Sequence, residues 1–312
     1  MFGAIVTSLV PVAFAISLGY VAGHRNVFGA AQRKVFTTLV LNWLLPSLLF
    51  SGIAKTPRAD LLNYKIPLTF AIGLLVPYLA VLLAGRFLLR HDQRVAALRA
   101  SLLAFPDMVF MGVPILGTLF GPASLFPILV ANFVPMLVII PLTTVLLEMG
   151  SEKGSRGGSA VFFKALAHAA GEPRVWVPFI AAVLVLLNIE IPQVVIGSLD
   201  LVGEPTTGLS LFVAGLIISE EKVRLSKAVA VDVLFKNLVH PAAMLATVLI
   251  LHVDGVLARE AILLAALPSA VITTMFAEEY GVLASESSTA ILGTRVLCFV
   301  TIPLAVALTP FS

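Results

Sequence analysis

The sequence divides into long apolar runs, each close to the roughly 20 residues that an α-helix needs to cross about 30 Å of hydrocarbon. No single motif constrains the fold as much. Inside a bilayer the backbone must satisfy its own hydrogen bonds, so spanning segments are helices or closed barrels. Barrel strands alternate apolar and polar residues over about ten positions. These runs do not alternate, and they carry almost no charge. Charged residues make up 12% of the chain and hydrophobic ones 59%, whereas soluble domains average about 25% charged. The chain reads as an all-α polytopic membrane protein.

Ten spans follow, near 3–23, 35–54, 66–88, 95–119, 125–147, 175–190, 194–218, 229–251, 259–281 and 287–309. No basic segment or cleavage site precedes the first run, so it is expected to stay as a span. Cys298, the single cysteine, sits within the last run and reads as a core residue, leaving no disulfide framework or thiolate cluster. The one long connection, 148–174, holds a Gly/Ser-rich stretch at 150–159. Its amphipathic part, Ala160–Ala170, reads as an interfacial helix or a plain linker.

Basic residues set the orientation. On one side fall Arg25, Arg33, Lys34, Arg86, Arg90, Arg94, Arg99, Lys153, Arg156, Lys164, Arg174, Lys222, Arg224 and Lys227. The other side has Lys55, Arg58, Lys65 and Arg259, while Lys236 and Arg295 lie within spans. Positive charge marks the cytoplasmic side, so both termini are expected outside a cell inner membrane. An odd number of spans would scramble this asymmetry.

The prolines reveal a repeat. Pro11, Pro46, Pro77, Pro106 and Pro141 pair in order with Pro178, Pro205, Pro241, Pro268 and Pro303, at offsets of 167, 159, 164, 162 and 162 residues. Leu102-Leu103-Ala104-Phe105-Pro106 matches Leu264-Ala265-Ala266-Leu267-Pro268, and Ile140-Pro141-Leu142 matches Ile302-Pro303-Leu304. Five spans per half is an odd number, so the second half enters from the opposite side. The expected fold is therefore ten transmembrane helices as two inverted five-helix repeats, 1–147 and 175–312, joined by a cytoplasmic linker at 148–174. Inverted repeats with interrupted helices are the architecture of secondary transporters, with substrate held near the midplane.

Spans four and nine carry the expected breaks. A helix proline removes a hydrogen bond and clashes with the preceding turn. Pro106 and Pro268 lie near the centres of their spans, followed by Asp107 and Ser269, both good N-caps for a second half-helix. Each break is expected to leave free N–H groups and a positive dipole end at the midplane, suited to a carboxylate. The plain alternative is a pair of kinked packing helices. Met108, Ala270 and Thr273 flank the breaks.

The stretch Phe110-Met111-Gly112-Val113-Pro114-Ile115-Leu116 resembles the signature of the auxin efflux carrier family. Leu44-Leu45-Pro46-Ser47-Leu48-Leu49-Phe50-Ser51 and the segment from Tyr280-Gly281 to Ile302-Pro303-Leu304 are similar to that family too. Within it the pattern is closest to bacterial malonate-type members, and similar to plant auxin carriers without their long central loop. The resemblance runs end to end. It implies ten helices in two inverted repeats, with proline-broken helices 4 and 9 crossing beside the substrate, and movement of carboxylates. Relatives often carry Asn after the first crossover proline, where this chain has Asp107.

Ionisable groups inside spans are functional candidates. Asp107 would repel an anion unless protonated or paired; it is a candidate for proton coupling, with simple helix capping as the alternative. Arg295 could snorkel, pair with Asp107, or bind a substrate carboxylate. Asp232, Lys236 and His240 share one face of span eight. Asp232 and Lys236 read as a shallow interfacial ion pair, and His240 as a proton relay or a packing residue. Asn42 beside Pro46, and Asp200 beside Pro205, could hold Na⁺ or order a helix pair. Asn132 reads as a polar lining residue, and Glu278 with Glu279 as a solvated pair.

No HExxH, GxSxG, P-loop or CxxC pattern is present, so neither an enzyme nor an ATP-driven pump is expected. The favoured reading is a secondary transporter of mono- or dicarboxylates such as malonate or auxin-like acids. A sodium-coupled symporter of the bile-acid type is the alternative; an intramembrane enzyme or a sensor is one from another class. No cofactor or bound metal is expected, only H⁺ or Na⁺ as coupling ion. The expected partners are the organic anion and the bilayer, not nucleic acid, and a homodimer is left open.

Overall fold

The computed structural model describes residues 2–149, 158–219 and 226–308. The stretch from 150 to 157 with Lys153 and Arg156, and the loop residues Lys222 and Arg224, lie outside the described residues. Among those described, all regular structure is helical. We label the helices α1 (Phe2–His24), α2 (Ala31–Ala54), α3 (Lys65–Leu88), α4 (Gln93–Ala104), α5 (Met108–Phe120), α6 (Pro122–Met149), α7 (Gly158–Gly171), α8 (Pro173–Leu186), α9 (Gln193–Ser219), α10 (Lys227–Ile250), α11 (Gly255–Ala266), α12 (Ile272–Glu279) and α13 (Ala284–Leu308).

Six of these, α2, α3, α6, α9, α10 and α13, are long and apolar enough to cross a membrane. The other four expected spans take different forms. The first is α1. The fourth is split into α4 and α5, and the ninth into α11 and α12. The sixth is the short α8. The segment expected as an interfacial helix or a linker is helical, as α7. Apolar side chains such as Val76, Leu79 and Leu83 of α3, and Val296 and Val300 of α13, are exposed, as a lipid-facing surface requires.

The prolines act in two ways. Four of them, Pro46, Pro114, Pro141 and Pro241, each follow a π-helical turn by two residues: Val40–Leu44, Met108–Gly112, Pro135–Ile139 and Phe235–Val239. In three of these the residue before proline donates one position further back than in an α-helix. Leu45 N–H bonds Val40 O, Ile140 N–H bonds Pro135 O, and His240 N–H bonds Phe235 O. The wider turn makes room for the proline ring while keeping the ladder bonded. Pro106 and Pro268 instead end their helices.

The chain forms two compact units, each drawing on both halves of the sequence. Unit one contains Met1–Ile66, Met108–Val130 and Ala170–Glu221. Here α1 packs backbone to backbone on the second half of α9: a Cβ on Gly19 would lie 2.0 Å from Phe212 O, and one on Gly215 2.1 Å from Ile16 O. Only glycine permits that approach. The second half of α2 packs against α8 and the first half of α9.

Unit two contains Pro67–Asp107, Ala131–Ala169 and Lys222–Ser312. Its core includes Leu102, Leu103, Val229, Ala290 and Ile291, and a second cluster of Leu98, Leu147, Ala277 and Val282. The Tyr78 and Thr143 hydroxyls, both buried, lie 3.0 Å apart. Cys298 is a buried core thiol, donating to Arg295 O.

Candidate functional site

The two chain breaks meet inside unit two. α4 ends at Ala104 and α11 at Ala266, and each runs into extended residues, Phe105 and Leu267. A following proline disfavours helical backbone at these positions. The extended pieces pair antiparallel, with Pro106 opposite Ser269. Asp107 N–H donates to Pro268 O at 2.8 Å, and Ala270 N–H to Phe105 O at 2.9 Å. Ser269 N–H donates to Thr294 Oγ1 of α13 at 3.3 Å.

Of the N–H groups at the two breaks, those of Asp107, Ser269 and Ala270 are bonded. Each broken segment supplies the acceptor its partner lacks, because an unmatched backbone group in hydrocarbon is costly. Ser269 is not an N-cap, since α12 starts at Ile272 after Val271. Its hydroxyl is buried with no hydrogen-bond partner. Thr273, fully buried, turns its hydroxyl back onto Ala270 O at 2.6 Å.

Beside the paired breaks lies a buried ion pair. Arg295 Nη2 is 3.1 Å from Asp107 Oδ2, and the residues are 2% and 3% exposed. Of the roles expected for Arg295, snorkelling is excluded and pairing with Asp107 is observed. The pair removes the net negative charge that would have repelled an anion. Arg295 Nε and Nη1 are buried without a hydrogen-bond partner. A guanidinium stays charged at any working pH and presents its donors as a rigid fork matched to a carboxylate. The site therefore holds a cation with donors uncommitted.

The buried face of α10 is polar. Asp232 pairs with Arg99 of α4, Oδ2 to Nε at 3.2 Å. Lys236 is fully buried; its Nζ lies 2.7 Å from His240 Nδ1 and 3.1 Å from Ala265 O. The expected shallow Asp232–Lys236 ion pair is therefore absent, and Arg99 is not a loop charge. Asp232 and Lys236 do share a face, but Asp232 turns to Arg99 of α4, and Lys236 to His240 on its own helix and to Ala265 O of α11. The π-turn at Phe235–Val239 turns Lys236, Asn237 and His240 all inward, and Asn237 accepts from Thr301 at 3.2 Å.

The remaining expected residues are dispersed. Asn132 is buried in unit two, 5% exposed. Met108 is buried and opens α5, which belongs to unit one. Asn42, in the π-turn before Pro46, is exposed, and also belongs to unit one. Asp200 is half-exposed in that unit and accepts from Lys55 Nζ at 2.6 and 2.8 Å. Glu278 and Glu279 are exposed, as expected. Sequence reasoning missed Thr294 and the depth of Lys236. The only available signal was their sequence neighbours, Arg295 and His240. Among the described residues, no three His, Cys, Asp or Glu side chains gather closely enough to hold a metal ion.

Comparisons with known proteins agree on one class. The family model described as membrane transport protein matches residues 4–306. The uncharacterized transporter YfdV of Escherichia coli (strain K12) is 29% identical over 308 residues, 95% of each chain. A "Putative malonate transporter" of Rhizobium meliloti (strain 1021) is 24% identical over 290 residues, 92% of this chain and 90% of that one. Auxin efflux carrier component 5 of Arabidopsis thaliana is 30% identical over 108 residues, 34% of this chain and 31% of the plant protein.

Proposed function

This chain belongs to the membrane transport protein family, that of the auxin efflux carriers, and from that premise we propose that it is a secondary carrier of small carboxylates, malonate among them, working by alternating access. The observation that carries this reading is the buried Arg295, with Nε and Nη1 uncommitted beside the crossing of two broken helices. In that role the guanidinium receives the substrate carboxylate, and Asp107 holds its charge in the empty state. Pro106 and Pro268 keep the backbone from closing into helix. Ser269 offers a hydroxyl, and Ala270, Thr273 and Asn132 of the same unit are the lining candidates. Asp107, His240 and Asp200 are the coupling candidates.

The same reading takes the chain as ten spans in two inverted repeats, 1–147 and 175–312. The ordered proline pairs support this, as does the way each compact unit draws on both halves. The charge asymmetry supports an inner-membrane topology with both termini outside.

Counterflow in proteoliposomes tests the proposal. Preloaded malonate should accelerate uptake of labelled malonate, as a carrier requires and a channel does not. Arg295→Ala should weaken apparent affinity by about one to two orders of magnitude, the loss of a charge-assisted contact of about 1.5–3 kcal/mol. Uptake indifferent to preloading, or unchanged affinity in Arg295→Ala, rejects it.

A further inference from the structure

The end of α3 carries chemistry that the buried site does not use. It closes in a π-helical turn, Ala84–Leu88, with Leu89 N–H on Ala84 O at 2.9 Å. His91 N–H then bonds Gly85 O at 2.9 Å, and Gly85 is buried against Ala96 of α4. The backbone of this corner is therefore fixed. Arg90, at its tip, has φ 53°, a left-handed backbone that glycine adopts freely and other residues only at a cost.

The side chains of the corner are outside the packed core. Phe87, Leu88 and Leu89 are 72%, 80% and 62% exposed. Consecutive helical residues point about 100° apart, so three in a row cannot form a single lateral stripe. A helix tip that is apolar on most sides is unfavourable in water, and hydrocarbon solvates it. Lipid therefore reaches at least to Leu89. Arg86 and Arg90, both exposed, bracket the three apolar residues. Arg86 starts about 4.5 Å deeper than Leu89 at 1.5 Å rise per residue, so its guanidinium must stretch back toward the headgroups. Its Nη1 donates to His91 O of the corner at 3.3 Å, which holds it in that direction.

Neither guanidinium is neutralised by the protein. Among the described residues, no carboxylate lies within ion-pair distance of Arg86 or Arg90. Asp92, the nearest acid in sequence, caps α4 by accepting from Arg94 N–H at 2.9 Å. The arginines of α4 differ: Arg94 donates to Tyr280 O, and Arg99 pairs with Asp232. A cation at the depth where acyl chains meet headgroups finds its counter-ion in the lipid phosphate, and a guanidinium fork matches phosphate oxygens.

We propose that the end of α3 is a binding site for an anionic phospholipid. Arg86 and Arg90 take the phosphate headgroup, and Phe87, Leu88 and Leu89 lie against the acyl chains. A zwitterionic lipid carries the same phosphate with a compensating ammonium, so the two arginines select net negative charge. The site belongs to unit two and opens α4, the helix that ends at the Pro106 break. It goes beyond the carrier reading and does not depend on it.

Lipid binding to the full chain in a neutral detergent tests this. Native mass spectrometry gives the affinity of the first lipid bound as dioleoyl phosphatidylglycerol or dioleoyl phosphatidylcholine is added. The wild type should prefer phosphatidylglycerol by at least about tenfold. Arg86→Gln and Arg90→Gln should each weaken its binding about fivefold, and together about thirtyfold. Arg86→Lys with Arg90→Lys should keep most of it, because the charge is kept. The control removes two exposed charges from the same expected side, Arg25→Gln with Lys34→Gln, and should bind like the wild type. Glycerol phosphate, a headgroup without chains, should not compete. Equal loss in the control would mean diffuse attraction to a basic face and overturns the proposal. A wild type without preference, a double Gln variant that binds normally, or competition by glycerol phosphate overturns it too. All four substituted residues are exposed, so thermal unfolding of every variant should match the wild type.

Discussion

Arg295 and Asp107 lie 188 positions apart in the chain, yet Nη2 of one is 3.1 Å from Oδ2 of the other. Both are anchored to the same backbone crossing. Asp107 N–H donates to Pro268 O, and Thr294, the neighbour of Arg295, accepts from Ser269 N–H. The ion pair and the paired breaks are thus one structure, tying α4, the segment before α12, and α13 within unit two.

Breaking the pair on one side should be costly. Asp107→Asn leaves a buried guanidinium without its counter-charge, at an expected cost of about 3–5 kcal/mol. Arg295→Gln strands the carboxylate similarly. The double variant should cost clearly less than the two single losses added together. Denaturant unfolding in detergent across the four proteins measures this, and additive losses would show that the two groups do not interact.

The crossing depends on its prolines. Pro268→Ala restores an N–H that Leu264 O can accept and removes the ring clash, so α11 is free to extend toward α12. Relief of a helix-interior proline is worth about 3 kcal/mol, but extension would pull Ala270 N–H off Phe105 O. We expect unchanged or higher thermal stability together with counterflow reduced at least about tenfold. Wild-type counterflow in this variant would mean that the break is not needed for transport.

The α1–α9 contact should tolerate no side chain. Gly19→Ala and Gly215→Ala would each place Cβ about 2 Å from a backbone oxygen, so each should lose about 1–3 kcal/mol as overpacking. Gly197→Ala is the control. It lies in α9 with nothing within 4 Å of the added Cβ, and should gain about 0.5–1 kcal/mol from helix propensity. Equal effects at all three positions would refute close packing as the cause.

The Lys55–Asp200 pair is short but half exposed, with side chains 49% and 42% accessible. Solvent screening limits such pairs to about 0–1 kcal/mol. Asp200→Asn should therefore shift stability by no more than that, and less at high salt. Counterflow is the second readout: a loss of transport at unchanged stability would support Asp200 as a coupling group, and full transport would remove it from that role.

Much of the fold was legible in the sequence. The apolar runs gave helices, and Pro106 and Pro268 stand where α4 and α11 end. The π-turns were not legible as such. A proline signals strain in the preceding turn, but whether the helix widens or breaks depends on whether a partner segment can supply the lost hydrogen bonds. At Pro46 and Pro241 the helix widened and kept its own ladder; at Pro106 and Pro268 two extended pieces met and completed each other.

Side-chain partners were less legible. Asp232 and Lys236 stand four apart on one face, and helical spacing alone pairs them. The fold gives Asp232 to Arg99, and Lys236 to Ala265 O and His240. Periodicity specifies which face of a helix is buried, not what is packed against it. By itself, then, the sequence determined that the chain is helical, apolar enough for a bilayer, and broken at two prolines. The tertiary structure alone decided that the breaks meet, that Asp107 pairs with Arg295, and that Lys236 reaches Ala265 O. Each of those contacts joins residues from distant helices, and a buried polar group takes whichever partner packing brings within about 3 Å.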